Sequence, residues 1–98
     1  MTRRISFHEM AEQELNEAAS YYNAQRPGLG NVFLDEVEDA TNQIRDHPEA
    51  APLVNRSVRR KLVRRFPYGV MYSVQPDGIR ILAIANQKRR PFYWRGRK

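Results

Sequence analysis

The chain has no cysteine among its 98 residues. Without thiols it can build neither a disulfide framework nor a thiolate metal site, and it reads as an intracellular protein of a reducing compartment, the cytoplasm. Histidine is nearly absent too: His8 and His47 stand far apart with no ligand spacing, so neither a metal centre nor a cofactor is expected. No segment approaches the roughly 18 apolar residues of a membrane span. The start, Met1-Thr2-Arg3-Arg4-Ile5-Ser6, lacks the apolar stretch that would turn its twin arginine into an export signal, so neither secretion nor membrane contact is expected.

Acid is scarce in one half only. Residues 51–98 contain a single carboxylate, Asp77, against thirteen bases, whereas residues 1–50 hold ten acids and four bases. The halves therefore carry −6 and +12 within a total of +6. A basic half of that density suits a polyanion or an acidic protein partner. A surface charged only for solubility needs no such segregation of sign along the chain. Length and 41% apolar content fit one modest core, hence one domain over residues 1–98.

Hydrophobic spacing orders the elements. Arg3 to Phe7 is a short opening edge strand, and Ser6-Phe7-His8-Glu9 has the pattern of a capping box, with Ser6 and Glu9 as its partners. Ala11, Leu15, Ala18 and Tyr22 fall on one helical face, which predicts a helix from about Phe7 to Gln25. Arg26-Pro27-Gly28-Leu29-Gly30 stops it. A second helix carries Phe33, Val37, Ala40 and Ile44 and ends at His47-Pro48, giving an antiparallel helical hairpin. Beyond Asn55 the period changes to two. Ser57–Phe66 is a cation-rich strand, Val70–Gln75 alternates, and Gln75-Pro76-Asp77-Gly78 is a hairpin turn. Ile79 to Ala85 is apolar on both faces, with Ile79, Ile81, Ala83 and Ala85 on one and Leu82 and Ile84 on the other, so it belongs in mid-sheet. The expected fold is α+β, β-α-α-β-β-β, an antiparallel sheet with the helical hairpin packed on one face.

Several features then follow in one order over nearly the whole chain. They are Glu17-Ala18-x-x-Tyr21-Tyr22, Pro27-Gly28-Leu29-Gly30, Phe33-x-x-Glu36-Val37, the run Arg60-x-Leu62-x-x-Arg65-Phe66-Pro67-Tyr68-Gly69-Val70-x-Tyr72, and Ile81–Ala85 leading to Arg89-Arg90-Pro91-Phe92-Tyr93-Trp94. The ordered set resembles the RelE/ParE superfamily of toxins from type II toxin–antitoxin systems, also called plasmid-stabilisation proteins. The resemblance implies a growth-arresting toxin silenced by a cognate antitoxin protein. It leaves two mechanisms open: cleavage of mRNA on the ribosome by a metal-independent endoribonuclease, or inhibition of DNA gyrase without hydrolysis. Fold alone does not choose between them.

Metal-free RNA cleavage requires a base for the 2′-hydroxyl, cations for the growing phosphate charge and an acid for the leaving oxygen. By resemblance, Lys61, Arg89 and Tyr93 are the catalytic candidates, with Arg59 beside Lys61 on alternate strand positions. Lys61 can accept a proton only if its pKa is strongly lowered. Arg59, Arg60, Arg64, Arg65, Lys88, Arg90 and Arg95 are candidates for gripping RNA or another target. Along Ser57–Phe66, Arg59, Lys61 and Arg65 share one parity and Arg60 and Arg64 the other. Arginines interleaved with aromatics suit single-stranded RNA, while Phe92 and Trp94 are better read as anchors of the C-terminus on the sheet. Two positions depart from the nuclease pattern: Gly69 replaces an arginine, and Asn86 replaces a histidine and cannot shuttle a proton. The antitoxin is expected to be acidic where it covers the basic strands.

Overall fold

A computed structural model describes residues 3–98; Met1 and Thr2, the first two residues of the stretch read for a leader, lie outside it. The elements are β1 (Ile5–Phe7), α1 (Glu9–Gln25), α2 (Leu29–Asp46), β2 (Arg59–Leu62), β3 (Tyr68–Gln75) and β4 (Gly78–Asn86). Their α+β order is the expected one, and the sheet runs β1-β4-β3-β2, with β4 in its interior. β2, β3 and β4 form an antiparallel meander, whereas β1 lies parallel to β4 with Ile5 opposite Ile79 and Phe7 opposite Ile81. The sheet is therefore mixed rather than wholly antiparallel. Parallel neighbours need a long crossover, and everything from α1 to β3 provides it here.

Ser6 does not cap α1, because it is still paired in the sheet opposite Arg80. The backbone N–H of His8 donates the last bond to β4, at Ile81 O (2.8 Å), and its Nδ1 accepts from Met10 N at 3.0 Å. One histidine thus ends the strand and starts the helix. α1 buries small residues, Ala11, Ala18 and Ala19, against the larger stripe of α2, Phe33, Val37, Ala40 and Ile44. The hairpin closes tightly at Gly30, whose N–H donates to Asn23 Oδ1 (2.7 Å) and whose missing Cβ would collide with the carbonyl of Ala19. Gly28, at φ +89°, provides the left-handed turn before α2.

Between hairpin and sheet lies a core centred on Phe33, Ile44, Val70, Tyr72, Ile79, Ile81 and Ile84. The rings of Tyr22 and Phe66 meet at 4.9 Å and those of Phe33 and Tyr68 at 5.0 Å, closing one end. Tyr72 is fully buried, and its hydroxyl donates to Pro48 O at 2.7 Å. The opposite face of the sheet carries a smaller core: Val58, Met71, Leu82, Ala83 and Ala85, closed by Trp94 from the tail after β4.

Two strand expectations need correction. β2 ends at Leu62 rather than Phe66, because Arg65 has φ 72° and the N–H of Val63 turns back to Tyr68 O (2.9 Å), so Arg64 and Arg65 lie outside the alternation. In β4, Met71 pairs with Ala83 while Tyr72 pairs with Ile81, leaving Leu82 as the extra residue of a bulge. The extra residue flips the parity. Ile79 and Ile81 face the helices, whereas Ala83 and Ala85 join the opposite core, contrary to the even alternation expected over Ile79–Ala85. No helix among the described residues is long and apolar enough to cross a membrane.

The contact at Gly30 makes a sharp test. Gly30→Ala should lower stability by about 3 kcal/mol, the upper end for an overpacked site. Gly28→Ala, which has open space but an unfavourable φ, should cost about 1 kcal/mol. Urea midpoints of the two variants check this, and a neutral Gly30→Ala would refute the close approach.

Candidate functional site

Register sorts the cations of β2 onto two faces. Arg59 lies opposite Tyr72 and Lys61 opposite Val70, both core residues under the helices, while Arg60 lies opposite Met71 on the other face. On the helix side Arg59 is consumed structurally, its Nη1 donating to Ala51 O at 2.7 Å and Glu49 O at 3.0 Å. Lys61 and Arg64 share a hollow with Glu36 and Asp39 of α2, and Arg65 lies 3.8 Å from Glu36. Part of the basic charge of the second half thus lies beside the acids of α2.

On the open face Arg60, Arg89 and Arg90 surround a groove of about 370 Å³ floored by Met71, Ala85 and Trp94. None of the described residues lining it is acidic. Gly69 makes room for it, since a Cβ there would come within 3.1 Å of Arg60 Cγ. The stem of Arg60 crosses the bare backbone of Gly69 from the neighbouring strand. Asn86, the other departure, shapes the exit from β4: its Oδ1 accepts from Lys88 N (2.8 Å) and its carbonyl from Arg89 N (3.0 Å). Lys88 sits on a second cleft, beside Glu17 and Tyr21, and Arg95 covers the ring of Phe92 at 5.3 Å.

The tail is tied down by a carboxylate of α1. Glu14 Oε1 accepts from Ile84 N (3.1 Å) and Arg97 Nη1 (3.0 Å), and Oε2 accepts from Arg97 Nη2 (3.1 Å) and the Tyr93 hydroxyl (2.8 Å). Arg97 Nη1 also donates to Leu82 O at 3.0 Å. Leu82 is the bulged residue, and Ile84 lies past the end of β1, so these side chains satisfy strand groups that no strand pairs. With side-chain exposures of 11% for Glu14 and 13% for Arg97, the pair is shielded from water, where paired hydrogen bonds count most. The Tyr93 ring carries Arg89 stacked 3.9 Å above its centroid. Burial first, then the hydrogen bond and negative charge of Glu14, hold the Tyr93 phenol protonated well above the usual range, against the opposing pull of Arg89 and Arg97.

The comparisons with known proteins agree with this architecture. The family described as the ParE toxin of the type II toxin–antitoxin system parDE matches residues 5–91. Toxin ParE2 of Mycobacterium tuberculosis, from strains CDC 1551 / Oshkosh and ATCC 25618 / H37Rv, is 35% identical over 95 residues, covering 93% of this chain and 88% of the relative. The chain belongs to the ParE toxin family. A solved structure described as the chromosomal ParDE TA system from P. aeruginosa shares the fold, with a TM-score of 0.76 at 16% identity over 87% of this chain and 96% of that one.

In this ParE-family chain the three catalytic candidates do not meet. Lys61 lies at the β2 edge under α2, while Arg89 and Tyr93 belong to the tail after β4, where Arg89 lines both the open groove and the cleft beside Glu14 and Glu17 of α1. Among the candidates for gripping a target, Arg60 and Arg90 share the open groove with Arg89, whereas Arg59, Arg64 and Arg65 stand apart from it. Sequence reasoning missed Glu14, which is not among the apolar residues Ala11, Leu15, Ala18 and Tyr22 that define the face of α1. A signal was available, since Glu14 stands three residues after Ala11 and four before Ala18, on the stripe that is buried. A carboxylate there demands partners.

The raised Tyr93 pKa has a direct consequence. Because the protonated phenol is favoured in the fold, its contribution is fully present below the ordinary tyrosine value of about 10 and is lost as pH climbs through the higher folded value. In an alkaline absorbance titration, Tyr93→Phe should leave the tyrosinate signal near pH 10 unchanged and remove one equivalent only at higher pH. Loss of an equivalent near pH 10 would show the Tyr93–Glu14 bond to be absent.

Proposed function

We propose that this chain is the toxin of a type II toxin–antitoxin pair and arrests growth by binding, with DNA gyrase as its target, rather than by cutting message. The observation that carries this reading is that Lys61, on the edge strand β2, shares no cleft with Arg89 and Tyr93 of the tail after β4. In-line attack by a 2′-hydroxyl needs base, cation and acid around one phosphate within hydrogen-bond reach. Here the phenol is protonated and engaged by Glu14, and Arg89 stands over its ring. What the open face offers is a cation-rimmed apolar groove, which suits recognition of an acidic surface. The cognate antitoxin is the partner that would silence the toxin, and an acidic segment of it would complement the same cations.

One observation favours the nuclease reading. His47, Lys61 and Arg60 line a common cleft of about 390 Å³ beside the end of α2, where an imidazole and an anion-holding cation share space. Purified components separate the two. Under the binding reading the chain blocks supercoiling by gyrase and leaves ribosome-bound mRNA intact. Cleaved message with undisturbed supercoiling would replace that reading with an endoribonuclease working from the His47–Lys61 cleft.

A further inference from the structure

We propose that Glu14 is a positioning residue for the target-binding groove, acting through Tyr93 on Arg89. The inference rests on the groove being the working surface, as proposed above. Its geometry is a relay of four groups. The Glu14 carboxylate binds the Tyr93 hydroxyl at 2.8 Å and the Arg97 guanidinium at 3.0 and 3.1 Å. Two guanidinium groups lie close to the Tyr93 ring, Arg89 at 3.9 Å and Arg97 at 5.2 Å from its centroid. Arg89 itself is exposed, forms none of the ion pairs within 4 Å among the described residues although it lines a cleft with Glu14 and Glu17, and stands at the rim of the open groove with Arg60 and Arg90.

An exposed arginine normally samples many rotamers, and ordering it on binding costs affinity. Stacking on a ring that is itself fixed removes part of that cost beforehand, since a cation over an aromatic face is held without being neutralised. Pairing with a surface carboxylate would hold Arg89 equally still but would cancel the charge that a target needs. Glu14 avoids this because its charge is matched by Arg97, leaving Arg89 positioned and still cationic. The backbone supports the same design. Phe92 has φ 60°, a left-handed conformation that a non-glycine residue adopts only when its surroundings impose it. That turn directs Tyr93 toward α1 and Trp94, 4% exposed, into the open-face core.

The test uses the full chain and purified gyrase, with two readings that a merely structural role would not move together. In the parent, the Arg89 Nε–H proton should be shifted by the Tyr93 ring current in an NMR spectrum. Glu14→Gln should return it toward the position of a free arginine and raise the concentration for half-inhibition by about tenfold, the effect of one lost charged hydrogen bond. The double variant Glu14→Gln, Arg89→Ala should be no weaker than Arg89→Ala alone, because both act through one group. Tyr93→Phe, which keeps the ring but not its tie to Glu14, gives the same two readings if Glu14→Gln does not fold. An unmoved Arg89 resonance, or losses that add in full, would overturn the inference. Failure of the parent to inhibit gyrase would instead remove the proposed target, and the Arg89 resonance would still decide the role of Glu14.

Discussion

The pairing of β2 with β3, Arg59 opposite Tyr72 and Lys61 opposite Val70, fixes which cations can act together. Side chains along a strand alternate between faces, so a slip of one residue would exchange every partner. The register is locked from both sides. Tyr72 is buried against the helices with its hydroxyl on Pro48 O, and Arg59 reaches the carbonyls of Glu49 and Ala51, stitching the crossover segment to the strand. Once these are set, Lys61 faces α2, and Arg60 turns to the open groove while still bordering the edge cleft that Lys61 and His47 line. The acids of α2 then meet Lys61, Arg64 and Arg65, and the open face inherits cations with no acid opposite them.

The open face would remain a bare apolar surface without the tail. Trp94 covers Leu82, Ala83 and Ala85, and the tail is anchored through Glu14. The bulge at Leu82 makes that anchorage possible. It leaves a carbonyl at Leu82 that Arg97 takes up, and past the end of β1 it leaves an N–H at Ile84 that Glu14 takes up. Buried polar groups of this kind are costly unless every one is satisfied. Here the carboxylate, guanidinium, phenol and two strand groups satisfy one another. An irregularity in the sheet thus couples the first helix to the last residues of the chain.

Much of this was legible from local patterns. The two helices, the glycine-rich break between them, the hairpin turn at Pro76-Asp77-Gly78 and the interior position of β4 all follow from short-range periodicity and turn chemistry. What was not legible depended on contacts far apart in sequence. The direction of β1 is decided by its crossover, and the bulge is decided by a partner strand. The union of Glu14 with Tyr93 and Arg97 joins residues about eighty positions apart. The uneven charge is visible in composition. Its division between a face beside the acids of α2 and an exposed groove needed the register, which composition does not contain.

A toxin that works from the open face depends on Arg60 and Arg89 and not on Lys61 beneath the helices. Growth arrest on induction, compared among Lys61→Ala, Arg60→Ala and Arg89→Ala at matched protein levels, separates the two. Arrest should persist in the lysine variant and weaken in both arginine variants. Loss of arrest in Lys61→Ala, with Arg60→Ala and Arg89→Ala still toxic, would contradict action from the open face.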